Sequence, residues 1–317
     1  MGFIGKRLVI TALTLFLVSV VTFAAFRLIP GDAALLSLGL DATEAQIEAL
    51  RAEMGLDRSY PEQYFSWLRG FLTGNLGYST RFMGASVSGM IAERLPVTLT
   101  LAALSFIFII SIAVPVSLIA VKKENSVANH IINTVTALNI SIPGFFLGVL
   151  LTWIFGIVFR VFVPGAYVCY TEDVLAFLGS LFFPALAIAL PNSALVIKFL
   201  RSSVFRELQS DYVRTVKSKG GGRLRILLRH VLKNASLPTI TLLGMITGEI
   251  LSGSIVIEQV FGIPGMGRLL LVSITARDYT MIETLVIYIA FAVIMANTLA
   301  DIVLQIVDPR IRIAEKV

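Results

Sequence analysis

The residues whose types and spacing could do chemistry are few, and most of them are basic. Nine Lys and Arg residues stand between positions 201 and 233, where only Glu207 and Asp211 oppose them. One carboxylate, Glu249, falls inside a long apolar stretch, where a charged group facing lipid is costly. We expect the basic segment to face water. Glu249 is expected either to line a pathway and meet a cationic or amino-terminal group, or to bond a Ser or Thr on a neighbouring helix.

Enzymatic chemistry has no support in the sequence. His130 and His230 are far apart and form no H-E-x-x-H metal site, and Cys169 is the only cysteine. The glycines at 220–222 are followed by Arg223 and not by the Lys-Ser or Lys-Thr of a phosphate-binding loop. We therefore predict a chain that is not an enzyme and has no metal or cofactor of its own. If ATP drives it, the ATPase is a different chain.

The composition is that of an integral membrane protein. Hydrophobic residues make up 56% of the 317 residues, charged residues make up 15%, and the mean hydropathy is +0.87. The net charge of +6 could suggest nucleic acid, but the Lys and Arg residues cluster at the ends of apolar stretches, as they do beside membrane helices. We predict an all-α fold in the lipid bilayer with no nucleic-acid partner.

Six apolar stretches are long enough, at roughly 20 residues each, to cross a bilayer. They are Leu8–Phe26, Val97–Val121, Ile131–Val158, Leu178–Leu200, Leu237–Ile257 and Leu285–Val307. The first is too long for a signal-peptide core and lacks a good cleavage site, so we expect it to be retained. Basic residues accompany both termini and the second and fourth connections, which predicts that both termini are cytoplasmic.

The first connection, residues 31–96, is long enough to form a structured element outside the membrane. Apolar residues recur at helical spacing after Thr43, and Gly55 can end that helix. A second helix with aromatic residues on one side is predicted at positions 61–72. We expect these helices to form a packed cap, or the aromatic residues to rest at the membrane interface.

Several positions inside the predicted spans indicate bending and packing. Kinks are expected where proline removes a backbone hydrogen bond within a span. The prolines in question are Pro143, Pro184 and Pro191. Gly244, Gly248 and Ser252 recur at four-residue spacing and predict close packing against another helix. Asn297 and Asp301, one turn apart, are expected to form an internal polar pair without a substrate role.

Within the basic segment, the pattern predicts a short helix, a glycine turn and a second amphipathic helix, after which Pro238 opens the fifth span. The apolar face of the second helix comprises Leu224, Leu227, Leu228 and Val231. A loop that only set topology would need no apolar stripe, whereas Val213, Val216, Leu224 and Leu227 need a surface to bury against. The stripe predicts that this segment docks onto a partner.

The segment "DYVRTVKSKG…RHVLKNASLP" between Asp211 and Pro238 resembles the coupling loop of binding-protein-dependent ABC importer permeases of the dipeptide, oligopeptide and nickel branch. Arg214, Thr215 and Val216 stand where the wider family has Glu-Ala-Ala, a departure that is typical of this branch. Further segments resemble the same branch in the same order. They are "GLDRSYPEQYFSWLRGFLTGNLGYS", "ERLPVTLTLA", "SIPGFFLGVLL", "VFGIPGMGRLLLVSITARDYTMI" and "DPRIR".

The resemblance implies a type I ABC importer permease fold with six transmembrane helices. The chain would divide into a first helix (1–30), an extracytoplasmic element (31–96) and a five-helix core (97–317) that includes the coupling loop (201–236). It implies a second homologous permease subunit, two ATPase subunits that bind ATP and Mg²⁺, and an extracytoplasmic solute-binding protein, in a bacterial or archaeal inner membrane. The implied ATPase contacts are Asp211, Tyr212, Arg214, Lys217, Lys219 and Gly220. Among them, Gly220 suits a helix end because glycine tolerates positive φ.

The cargo is open at this point. Peptides, glutathione-like compounds and nickel or metal chelates are all carried by relatives of this kind, and we favour di- and oligopeptides. Because the spans contain no His, and the single cysteine, Cys169, lies near an outer edge, direct coordination of bare nickel is not supported, although a chelate needs no such ligands. A transporter coupled to ions without ATP is the alternative from another class. It would be expected to have several acids within the membrane or an inverted repeat, and neither is apparent.

Overall fold

The computed structural model describes residues 3–28, 35, 42–53, 55–79, 81–82, 85–123 and 126–307. These residues form helices and connecting turns, and no strand is found among them. In chain order the helices are α1 (Phe3–Leu28), α2 (Glu44–Glu53), α3 (Tyr60–Thr73), α4 (Val87–Lys122), α5 (Val127–Ser141), α6 (Gly144–Leu151), α7 (Val174–Ser180), α8 (Phe182–Leu208), α9 (Asp211–Ser218), α10 (Leu232–Phe261), α11 (Met266–Ala276) and α12 (Tyr279–Val307). A π-helical segment, Thr152–Val158, continues α6, and another, Ile226–Val231, follows a turn at Arg223–Arg225 and leads into α10.

Among the described residues, five helices are long and apolar enough to cross a membrane: α1, α4, α8, α10 with its preceding π-helical segment, and α12. The predicted third span is not one straight helix. It is a pair, α5 and α6 with its continuation, bent by 104° at a short break, so that the total is six if the pair is one span. The break follows from Pro143, because proline disfavours helical geometry at the residue before it, and Ile142 is extended with ψ 122°.

The other prolines do not all act as predicted. Pro191 lies inside α8, as expected, but Pro184 is in its first turn, where no helical hydrogen bond is lost. The fourth span also extends past the predicted Leu200, since α8 continues to Leu208. The second span begins ten residues before the predicted Val97 and runs through Pro96. Pro238 does not open the fifth span, because one continuous helix covers Ile226–Phe261.

The main core lies between α4, α8 and α10. Leu101, Ile109, Leu181, Ile246 and Ile250 are at most 1% exposed there. The predicted small-residue stripe on α10 is confirmed for two of its three members, since they meet α12. A Cβ on Gly244 would lie 2.5 Å from the Cβ of Ala300, and one on Gly248 would lie 3.3 Å from Val293. Ser252 is exposed instead.

Helix α1 packs along α12 through polar contacts. The Arg7 guanidinium lies 2.6 Å from the Asp301 carboxylate, and the hydroxyls of Thr11 and Thr298 are 2.9 Å apart. The expected pairing of Asp301 with Asn297 is therefore replaced by an ion pair between two helices. The sequence pattern could not indicate it, because these partners are nearly 300 residues apart.

The two helices predicted in the first connection are present as α2 and α3. Gly55, just after α2, has φ 65°, which fits its predicted role at the helix end. The aromatic side of α3 packs onto α1 and α12. The Tyr64 hydroxyl lies 2.8 Å from the Ser19 hydroxyl, its ring is 5.4 Å from that of Phe23, and the ring of Phe71 is 5.0 Å from that of Tyr288. These contacts make α3 a packed cap on the two helices.

Candidate docking segment and pathway residues

The basic segment folds as the predicted helix, turn and helix. Helix α9 begins at Asp211, whose carboxylate suits the positive end of the helix dipole. It ends at Ser218, and Gly220 then adopts φ 79°, as the sequence predicts for this position. A Cβ on Gly220 would meet nothing within 4 Å, so glycine is required by backbone geometry and not by crowding. The chain reverses here and enters the helix that becomes α10.

The apolar side of α9 is fastened to the ends of the long helices. Val213 is 6% exposed, and Val231, which precedes α10, is fully buried. The cluster they belong to joins α4, α8, α9 and the start of α10. Its buried members are Val121, Leu200, Val204, Val213, Ile226, Leu227, Val231 and Ala235. Helix α9 is therefore held by packing and cannot swing freely on its loop.

This packing changes one sequence argument. Val213 and Leu227 were expected to need a partner surface, and they instead bury against this chain's own helices. The exposed apolar residues are Leu224, 62% exposed, and Leu228, 47% exposed. The sequence could not separate the two sets, because all of these residues lie on amphipathic helices and only the tertiary packing decides which side is covered.

The outer face of α9 is polar and predominantly basic. Asp211, Arg214, Lys217, Lys219 and Gly220 are all exposed. The one ion pair described on this face joins Arg214 to Asp211 at 3.6 Å, with side chains 78% and 97% exposed, and such a pair contributes little to stability. Arg214 can therefore leave this ion pair and bind an acidic group of a partner protein with little loss of stability.

Tyr212 is the predicted contact that is not free. It is half-buried, and its hydroxyl donates to Glu207 Oε2 at 2.8 Å, which ties α9 to the end of α8. Burial, reinforced by this hydrogen bond, raises the pKa of the Tyr212 hydroxyl, so the group is neutral and serves as a donor. We assign Tyr212 to the anchor of α9 more than to its outer face.

Glu249 lies on the exposed side of α10. The opposite sides of that helix pack on α8 through Ile246 and Ile250 and on α12 through Gly248. Among the described residues, no hydrogen bond to the Glu249 carboxylate is present, and the nearby Ser252 hydroxyl donates to backbone oxygens instead. The expected bond from a Ser or Thr of a neighbouring helix is therefore not found among the described residues of this chain.

Two charged residues, Lys198 and Glu258, were missed by the sequence analysis. Lys198 and Arg201 line an open groove of about 460 Å³ between α5 and α8, where Arg201 also bonds Asn133. Lys198 is exposed near the middle of α8, and its place within an apolar span was the available signal. The groove adds positive charge to this side of the bundle.

Glu258 is the other missed residue, and its carboxylate is fully buried at the end of α10 away from α9. It accepts hydrogen bonds from the Thr98 hydroxyl at 2.7 Å and from the backbone N–H of Arg268 at 2.9 Å. A Cβ on Gly265 would lie 2.3 Å from this carboxylate, so a larger residue there would have to displace the carboxylate from its hydrogen bonds. Glu258 thus fixes the start of α11 to α4 and α10.

Comparison with known proteins gives a consistent match over the whole chain. The family model described as "Binding-protein-dependent transport system inner membrane component" matches residues 113–313, and a model of the N-terminal part of such membrane components matches residues 1–102. A putative peptide permease of Brucella ovis is 35% identical over 97% of this chain and 98% of its own length. A probable peptide ABC transporter permease of Sinorhizobium fredii is 32% identical over 98% and 99%. The oligopeptide transport system permease AppB of Bacillus subtilis is 31% identical over the same shares.

Proposed function

Because the chain belongs to the family of binding-protein-dependent transport system inner membrane components, we propose that it forms one half of the pathway of an ATP-driven peptide importer that works by alternating access. The observation that carries the proposal is the arrangement of α9, which exposes Arg214, Lys217 and Lys219 while Val213 is buried against the ends of the long helices. A basic outer face with a packed inner face suits a segment that receives motion from a partner and passes it to the bundle.

In this proposal the ATPase is a separate pair of subunits, which bind ATP and Mg²⁺. A second, homologous permease completes the pathway, and a solute-binding protein delivers the cargo on the other side of the membrane. Asp211, Arg214, Lys217, Lys219 and Gly220 contact the ATPase, with Leu224 and Leu228 as the apolar part of that contact. Both termini and α9 then lie on the cytoplasmic side, as the distribution of basic residues favours.

Peptides are the favoured cargo, since the relatives compared above are named for peptides or oligopeptides. Among the described residues, no group of three or more His, Cys, Asp or Glu side chains could hold a metal ion. The exposed carboxylate of Glu249 lines the pathway and attracts the amino-terminal ammonium of the peptide. A metal chelate would gain nothing from this carboxylate.

The test is uptake by the complete transporter in proteoliposomes, with the second permease, the ATPase subunits and the cognate binding protein. We expect ATP-dependent uptake of a labelled peptide pool and none of a nickel chelate. Glu249→Gln is expected to lower uptake of peptides with a free amino terminus by about tenfold, because hydrogen bonds to charged groups are the strong ones. Uptake of N-acetylated peptides should change little.

The matched control is Glu172→Gln, which neutralises an exposed acid outside the apolar spans and should leave uptake unaltered. Uptake of the nickel chelate in place of peptides would overturn the cargo, and uptake driven by an ion gradient without ATP would overturn the class of transporter. If Glu249→Gln leaves both uptake and the preference for a free amino terminus unchanged, Glu249 has no role in the pathway.

A further inference from the structure

A polar cavity of about 220 Å³ lies at the end of the bundle away from α9. Its walls come from the last turn of α1, the inner side of α3 and the first turns of α12. They include Arg27, Gln63, Trp67 and Glu283. None of these residues belongs to the proposed ATPase contact or to the proposed peptide pathway.

Three buried polar atoms around this cavity have no hydrogen-bond partner. Glu283 is 5% exposed and its Oε1 accepts no hydrogen bond. Gln63 is 8% exposed; its amide nitrogen donates to the backbone oxygens of Leu56 and Arg58, and its Oε1 is left without a donor. The Nε of Arg27 is also unpartnered, and its guanidinium lies 4.6 Å from the centre of the Phe23 ring. Because buried polar groups are normally paired, this cluster indicates that something else supplies the partners.

The unpaired atoms define the chemistry of that ligand. Glu283 and Gln63 present acceptors, which suit a primary ammonium with its three N–H donors. Arg27 and the exposed Arg58 present guanidinium groups, which suit a phosphate or carboxylate. We propose that this cavity binds the headgroup of phosphatidylethanolamine, with the ammonium on Glu283 and Gln63 and the phosphate on the two arginines.

The position of the cavity favours a lipid over a soluble zwitterion. The cavity lies at the ends of two apolar helices, α1 with Arg27 and α12 with Glu283. The ends of membrane-spanning helices lie at the level of the lipid headgroups. Trp67 in its wall is the residue type enriched at that level. Close by in sequence, Leu28 and Leu72 are 82% and 77% exposed, which gives acyl chains apolar surface beside the headgroup.

The experiment is native mass spectrometry of the assembled transporter in nanodiscs that contain equal amounts of phosphatidylethanolamine, phosphatidylcholine and phosphatidylglycerol. We expect about tenfold more retained phosphatidylethanolamine than phosphatidylcholine, whose quaternary ammonium has the same charge but no N–H donor. Glu283→Gln should reduce this preference to below about twofold. Arg58→Gln, at an exposed position, should lower retention of both lipids equally and keep the preference between them.

Glu172→Gln is again the control and should retain lipid like the wild type. Equal retention of the ethanolamine and choline lipids by the wild type would overturn the proposal, and so would a preference that survives Glu283→Gln in a variant that melts like the wild type. A free dipeptide is added in a separate arm. If it displaces phosphatidylethanolamine and its binding is lost in Glu283→Gln, the ligand is a soluble zwitterion and the assignment to lipid is wrong.

Discussion

Reversing two charges on the outer face of α9 should weaken the hold of the ATPase without harming the fold. In Arg214→Glu/Lys217→Glu, both altered side chains are exposed, and the single ion pair that Arg214 makes is itself almost fully exposed. Changes at such positions usually alter stability by less than about 0.5 kcal/mol. The permease should therefore fold and insert as before, and any loss can be assigned to the partner.

The loss of binding free energy can be estimated from exposed ion pairs, which contribute about 0.2–1 kcal/mol each. Reversal removes an attraction and adds a repulsion of similar size, so two reversals should cost about 1–4 kcal/mol, or roughly 5- to 700-fold in Kd. The assay is binding of the purified ATPase subunits to the permease pair in nanodiscs. Because exposed charges are screened by salt, the difference between variant and wild type should shrink as NaCl rises from ~0.1 to ~0.5 M.

The matched control is Lys122→Glu/Lys123→Glu, which makes the same change of net charge on exposed residues at the C-terminal end of α4. This control should bind the ATPase much more strongly than the α9 variant. Equal losses in both would mean that only the overall charge matters. An α9 variant that binds like the wild type at low salt would refute the proposed contact.

Two further predictions concern packing. Val213→Ala removes about two methylene-sized groups from a buried site and should cost about 1.5–2.5 kcal/mol of local packing energy. We expect it to lower peptide-stimulated ATP hydrolysis while the ATPase stays bound. Val174→Ala, at a 62% exposed position, should leave hydrolysis unchanged, and equal effects of the two variants would contradict the role of Val213 in anchoring α9. Gly244→Ala places a Cβ 2.5 Å from that of Ala300. The steric repulsion should cost about 1–3 kcal/mol, which outweighs the roughly 1 kcal/mol that alanine gains over glycine in helix propensity. We therefore expect a lower melting temperature of the transporter. Gly253→Ala, which meets nothing within 4 Å on the same helix, should not lower it, and a lowering of similar size would remove the contact with α12 as the explanation.

The sequence predicted the features that depend on local residue patterns, and it did not predict those that depend on tertiary contacts. The apolar stretches, the helices of the first connection and the positive φ of Gly220 each follow from composition or from one residue's geometry, and they are confirmed. Pro238 was misplaced because a helix with packing on several sides can continue past a proline, whereas an isolated helix would tend to stop. The hydrogen bond between Thr98 and Glu258 and the ion pair between Arg7 and Asp301 were not predictable, because the two partners in each are at least 160 residues apart along the chain.

The continuity of the helix through Pro238 has a consequence for the proposed mechanism. The 36 residues of Ile226–Phe261 form one continuous helix, which is about 50 Å long at about 1.5 Å per residue. One end is buried with Val213 of α9, the middle exposes Glu249, and the far end holds α11 through Glu258. A displacement imposed on α9 therefore reaches Glu249 and the far side of the bundle through a single helix, with no loop in between. Had the helix begun at Pro238, as the sequence suggested, the same displacement would have been lost in the connection.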